Sequence, residues 1–146
     1  MKTLISVLFT FLAANAIACP NLAGKFLCKS FDNGVDQHVT VTQETRRDGV
    51  LYVLNIVMGD KTDIRNYHAN NETKSITSPK YDNYTEKSFC QGTLLKVETR
   101  GITKDTKEAL NAVVTVRINQ DGSMYDSYIG KVGNKDIKFE ETCQRM

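Results

Sequence analysis

The sequence predicts an all-β protein: an antiparallel meander of 8–10 strands forming a small closed or flattened barrel, after an N-terminal signal peptide. Three observations predict it. Turn-forming pairs recur at Asn33-Gly34, Asp48-Gly49, Gly59-Asp60, Asn70-Asn71, Gln91-Gly92, Asp121-Gly122 and Gly133-Asn134, and such pairs supply the positive φ angles that tight hairpins need. The segments between them carry β-type sequence, and most are short enough for one strand each. A meander of this length has to curl up or cover its own edges.

The first segment, residues 1–18, reads as a leader. Lys2 is its only charge, an apolar run follows from Leu4 to Ala14, and Ala16-Ile17-Ala18 places small residues where a signal peptidase reads them. Cleavage is expected between Ala18 and Cys19, leaving residues 19–146 as a single β-barrel domain. The apolar run is well short of the roughly twenty residues a membrane-spanning helix needs, and no later segment comes closer. The expected location is secreted or periplasmic. The alternative is a lipoprotein acylated on Cys19, against which stand Ala16, where such signals carry a larger aliphatic, and the odd number of thiols that acylation would leave.

Strands follow in outline. Lys25 to Ser30 puts Phe26 and Cys28 on one side, and His38 to Glu44 puts Val39 and Val41 opposite His38, Thr40 and Thr42. Val50 to Met58 is apolar on both faces apart from Asn55, as in a strand covered on both sides or one whose outer face meets a partner. Lys61 to Ser88 is poor in aliphatics and interrupted by Pro79, predicting shorter, more exposed strands. Leu95 and Val97 belong to the next strand. Thr103 to Leu110 has no period-two signal and reads as a charged loop. Ala112, Val114, Val116 and Ile118 alternate most cleanly, Met124, Tyr128 and Val132 lie on the following strand, and Ile137, Phe139 and Cys143 close the series.

Four cysteines in an exported chain imply two disulfides. Three pairings are possible. In a closed meander the last strand returns beside the first, which favours Cys19 with Cys143 and Cys28 with Cys90. The spacing contains no Cys-x-x-Cys unit, so metal binding is the weaker use of these thiols; no metal and no cofactor are expected.

Leu22-Ala23-Gly24-Lys25-Phe26, with Arg145 near the end of the chain, resembles the calycin (lipocalin-like) arrangement, in which a Gly-x-aromatic motif opens the barrel and a basic side chain packs over the ring. The resemblance implies structural roles for Gly24 and Arg145 and a cation–π contact at the barrel's base; the aromatic here is Phe26, where those families carry Trp. Phe26-Leu27-Cys28-Lys29 followed by Val39-Thr40-Val41 also resembles small periplasmic barrels that inhibit lysozyme. Their inhibitory Ser-Gly-x-Lys-Tyr phrase is matched only in part by Thr77-Ser78-Pro79-Lys80-Tyr81, in which Pro replaces Gly.

Composition narrows the function. The formal net charge is +2 with acids and bases interspersed, unlike the strongly basic face of a nucleic-acid binder, so no nucleic-acid partner is expected. No Gly-x-Ser-x-Gly elbow is present, and His38 and His68 sit in no catalytic motif, so the chain is read as non-enzymatic. Asn71-Glu72-Thr73 and Asn83-Tyr84-Thr85 match glycosylation acceptors, meaningful only in a eukaryote. Two roles remain, both for a monomer. In the first, an interior of Phe26, Val39, Val41, Val53, Val97, Val114, Val116 and Phe139 is incompletely filled and holds a small apolar ligand. The alternation places Glu141 on the inner face, where it is expected to salt-bridge a Lys or Arg, to hydrogen-bond a ligand's polar head, or simply to meet water at a strand end. In the second, an interaction module or enzyme inhibitor contacts a protein partner through Tyr67, Tyr81 and Tyr84.

Overall fold

The structure, a computed structural model, describes residues 19–29 and 34–146. The leader expected over Met1–Ala18, and Asn33 of the first turn pair, lie outside them. Ten strands run in order: β1 (Gly24–Cys28), β2 (Gln37–Arg46), β3 (Gly49–Met58), β4 (Lys61–Ala69), β5 (Thr73–Ser75), β6 (Tyr81–Gln91), β7 (Leu94–Thr103), β8 (Ala109–Ile118), β9 (Met124–Val132) and β10 (Lys135–Arg145). All pairings are antiparallel, and the sheet order is β4-β3-β2-β1-β10-β9-β8-β7-β6-β5. No helix among the described residues is long and apolar enough to cross a membrane.

The meander is therefore cut in the middle of the chain. β1 and β10 do pair, Phe26 with Arg145 and Leu27 with Gln144, so the first and last strands meet as expected. The sheet's edges are instead β4 and β5, and it curls into a half-barrel without a continuous ladder between them. At one end the seam is held by Asn71, whose backbone N–H donates to Ser88 O (3.0 Å). Toward the other end β5 covers the edge of β6, and the seam stays open.

Turn glycines do the work expected of them. Gly59, Gly92, Gly122 and Gly133 all adopt positive φ between 57° and 81°, the conformation that costs glycine least. The loop expected from Thr103 to Leu110 is shorter, Lys104 to Glu108, because Thr103 ends β7 and Ala109 opens β8, and it is tied by the Glu108 backbone N–H donating to Thr103 Oγ1 (2.9 Å). The segment from Lys61 to Ser88 departs from expectation: β4 and β6 are full-length strands, because pairing with β3 and β7 supplies the order their composition does not.

One end of the half-barrel is plugged. Leu22, Phe26, Tyr52 and Leu95 are all fully buried there. The chain before β1 crosses this end, where the Leu22 backbone N–H donates to Gln43 Oε1 (2.8 Å) and the Tyr52 hydroxyl to Pro20 O (2.7 Å). Arg145 lies over Phe26, its guanidinium carbon 5.6 Å from the ring centroid, while Nη2 donates to Ala23 O (2.7 Å). Gly24 leaves the room for this: a Cβ there would stand 2.8 Å from Arg145 Nη2 and 3.0 Å from Phe26 Cζ.

The disulfides correct the expected pairing. They join Cys19 to Cys90 and Cys28 to Cys143. The β1–β10 register explains why. With Phe26 opposite Arg145, continuing the antiparallel count brings Cys28 opposite Cys143, whereas Cys19 lies beyond the ladder and straps the plugging segment to β6. Both bonds belong to the class of fold that forms in oxidising, exported environments.

Candidate functional site

Alternation along each strand decides which side chains enter the half-barrel. β3 turns Tyr52, Leu54 and Ile56 inward, and the hairpin register sets Leu54 against Val41 and Ile56 against Val39. Val53, expected in the interior, thus stands half-buried on the outer face, opposite Thr42 and Asn66. Phe26, Val39, Val41, Val97 and Val116 are buried. Val114 is half-buried, and Phe139 is 46% exposed at the rim, because β10 runs past the core into the open end.

Above the plug lies an open basin with a volume of about 740 Å³. Buried Val39, Leu54, Ile56 and Met124 line its apolar base. Tyr67, Tyr84, Tyr128 and Phe139 contribute aromatic surface, and Ile64 and Ile76 stand exposed on the two sides of the seam. Tyr67, expected on a contact surface, is only 6% exposed. Burial pushes its hydroxyl up to about 12, so it is a neutral phenol at physiological pH. Tyr84 and Tyr128 are likewise raised, chiefly by burial.

A bulge aims Tyr84. The β6–β7 register shifts between Asp82 and Thr85, with Asn83 at φ 50°. Residues three apart on a regular strand face opposite ways, but the extra residue turns both Tyr81 and Tyr84 over Gly101. Their rings stack with centroids 5.5 Å apart, and a Cβ on Gly101 would lie 3.2 Å from each side chain.

The polar groups of the basin are unbalanced. Arg65 from β4 faces three carboxylates, Glu86, Asp126 and Glu141, among the described lining residues. Asp126 and Glu141 are direct cross-strand partners on β9 and β10, where like charges destabilise a sheet. Burial raises the pKa of both, and Asp126 raises that of Glu141 further, while the Arg65 charge opposes. Asp126 Oδ1 is enclosed and accepts no hydrogen bond from the described residues. Arg65 Nε donates to Asp63 Oδ2 (2.9 Å), so its one charge is divided between Asp63 and the pair, whose pKa values it pulls down. Glu86 accepts from the Tyr84 hydroxyl (3.0 Å).

Glu141 also lies within 4.8 Å of both sulfurs of Cys28–Cys143. These sulfurs are bonded to each other and present no thiolate to a metal. Of the histidines, His38 is exposed and His68 Nε2 stands 3.2 Å from Asp48 Oδ1, outside the basin. The Thr77–Tyr81 phrase forms a tight turn in which the Ser78 hydroxyl accepts from the Lys80 and Tyr81 backbone N–H groups (both 3.2 Å).

Of the residues that make this site, the sequence pointed to Val39, Val114, Phe139, Glu141, Tyr67 and Tyr84. Arg65, Glu86, Asp126 and Tyr128 were not singled out. No protein-family model matches the chain, and comparison with curated proteins finds no match.

Proposed function

We propose that this is an exported, non-enzymatic binding protein, secreted or periplasmic, that holds one small, partly apolar ligand in the basin. The observation carrying this reading is the basin itself: about 740 Å³ over a buried aliphatic base, with aromatic walls and a handful of convergent polar groups. Small-molecule sites have this size and this mix of apolar lining and sparse polarity. The two disulfides and the plugged end supply a rigid frame, so the site is preformed and little ordering cost falls on binding. The reading through a tyrosine contact surface is weaker, because Tyr67 is buried and Tyr84 lines the basin.

A neutral naphthylamine fluorophore tests it. Titrated into the disulfide-intact protein, the dye should show saturable, one-to-one enhancement. Val114→Trp, which fills the basin from β8, should weaken that binding by about tenfold or more while the fold is retained by circular dichroism. Absence of saturable binding by the unmodified protein, or full binding by the filled variant, removes the reading.

A further inference from the structure

Resting on that reading, we propose that the ligand is an organic cation, an amine or quaternary ammonium with an apolar body, whose charged head sits against Asp126 and Glu141. The basin's charge complement points there. Among the described residues three carboxylates line it against one guanidinium, whose single charge is also shared with Asp63. An anionic ligand would meet the Asp126–Glu141 pair with a single, shared positive partner. A neutral ligand would leave the two carboxylates opposing each other across the β9–β10 ladder. A cation relieves both at once, by giving each carboxylate a counter-charge in a partly desolvated site where such pairing is strong.

Two further observations agree. Asp126 meets the Ser127 backbone N–H, but its Oδ1 is enclosed with no donor among the described residues, and an acceptor in that state gains from a ligand N–H or an ammonium charge. The walls suit the same chemistry. Tyr128 is the cross-strand partner of Phe139 and lies two residues along β9 from Asp126, and Tyr67 and Tyr84 line the same basin. Aromatic faces beside carboxylates attract alkylammonium heads through the ring quadrupole, while the aliphatic base takes the apolar body.

Three ligands of one chain length but different heads separate this inference from the one beneath it: octyltrimethylammonium, 1-octanol and octanoate, each measured by displacement of the naphthylamine dye. The ammonium should bind about tenfold tighter than the alcohol, and the alcohol tighter than the carboxylate. Asp126→Asn with Glu141→Gln should bring the ratio of ammonium to alcohol affinity, both measured by dye displacement in that same variant, down to about one. Equal affinity for ammonium and alcohol, or a cation preference that survives the double substitution, overturns the cation assignment while binding in the basin stands. Failure of all three to displace a bound dye also overturns it, and failure of the dye itself to bind overturns the basin reading first.

Discussion

The two ends of this half-barrel are built on opposite rules. At the plugged end the Tyr52 hydroxyl donates to Pro20 O, Leu22 N–H to Gln43, and Arg145 to Ala23 O, around fully buried Leu22, Phe26 and Leu95, and His68 Nε2 stands 3.2 Å from the Asp48 carboxylate. At the open end two carboxylates oppose each other, one buried oxygen lacks a donor among the described residues, and Phe139, Ile64 and Ile76 face solvent. The contrast is instructive because both ends share the same strands. The segment from Cys19 to Ala23, the end of β10 and the Cys19–Cys90 bond strap the sheet at the plugged end, and such a frame lets the other end carry an arrangement that folding alone does not favour.

The largest effects should therefore come from the plugged end. Replacing Cys19 and Cys90 together by Ala opens a bond spanning 71 residues of sequence, and the chain-entropy argument predicts a loss of about 4 kcal/mol. Phe26→Ala should cost about 3–5 kcal/mol, from lost burial and the cavity left beneath Arg145. Both are read as urea midpoints with the m-value checked for constancy. If truncating Tyr128 or Phe139 in the basin destabilised the protein as much, the division between a structural and a functional end would fail.

How far this division was legible in the sequence depended on the strand. The turn pairs and the alternation of Ala112, Val114, Val116 and Ile118 announced the meander, and Gly24, Phe26 and Arg145 announced the contact at the plugged end. Val53 was misplaced because Val50 to Met58 is apolar on both faces, so alternation is silent; only the hairpin register, with Leu54 against Val41, settles it. Asp126 could have been found. A two-residue turn at Gly133-Asn134 pairs Val132 with Lys135, and counting outward sets Asp126 opposite Glu141. Arg65 could not, because it reaches the basin only through the curl that brings β4 toward β9 and β10, and no local pattern encodes that curl. Tyr84 was seen as aromatic surface, but its inward aim depends on a bulge with no signal beyond the turn-tolerant Asn83.

A smaller effect sharpens the comparison through pH. The folded pKa values of Asp126 and Glu141 are raised, first by burial. The folded state thus favours their protonated forms: the benefit is full below the unfolded value near 4 and is lost as pH rises through the folded value. Asp126 adds to it at Glu141, while Arg65 opposes it at both carboxylates from β4 and the Ser127 backbone opposes it at Asp126. Asp126→Asn should then be more stable than the unmodified protein at neutral pH by about 1 kcal/mol, seen as a thermal midpoint higher by a few degrees. The advantage should shrink toward zero as pH falls below 4. An advantage unchanged at acid pH would locate the effect in packing rather than charge.

The smallest effect is the most pointed, because there the sequence pattern and the structure disagree. The alternation of Ile137, Phe139 and Cys143 marks Phe139 as core, yet the ring is 46% exposed at the rim of the basin. A core phenylalanine would lose several kcal/mol on truncation, but one that is 46% exposed has only about half that burial to lose and its site leaves no enclosed cavity. Phe139→Ser should therefore shift stability by about 1 kcal/mol or less, while weakening the naphthylamine dye, whose apolar body the ring helps cover. Stability that falls by several kcal/mol would show that β10 packs its ring as core and that the open end is less open than the described strands place it. Unchanged stability with weakened dye binding would separate folding from binding within one side chain, the same separation that divides the two ends of the half-barrel.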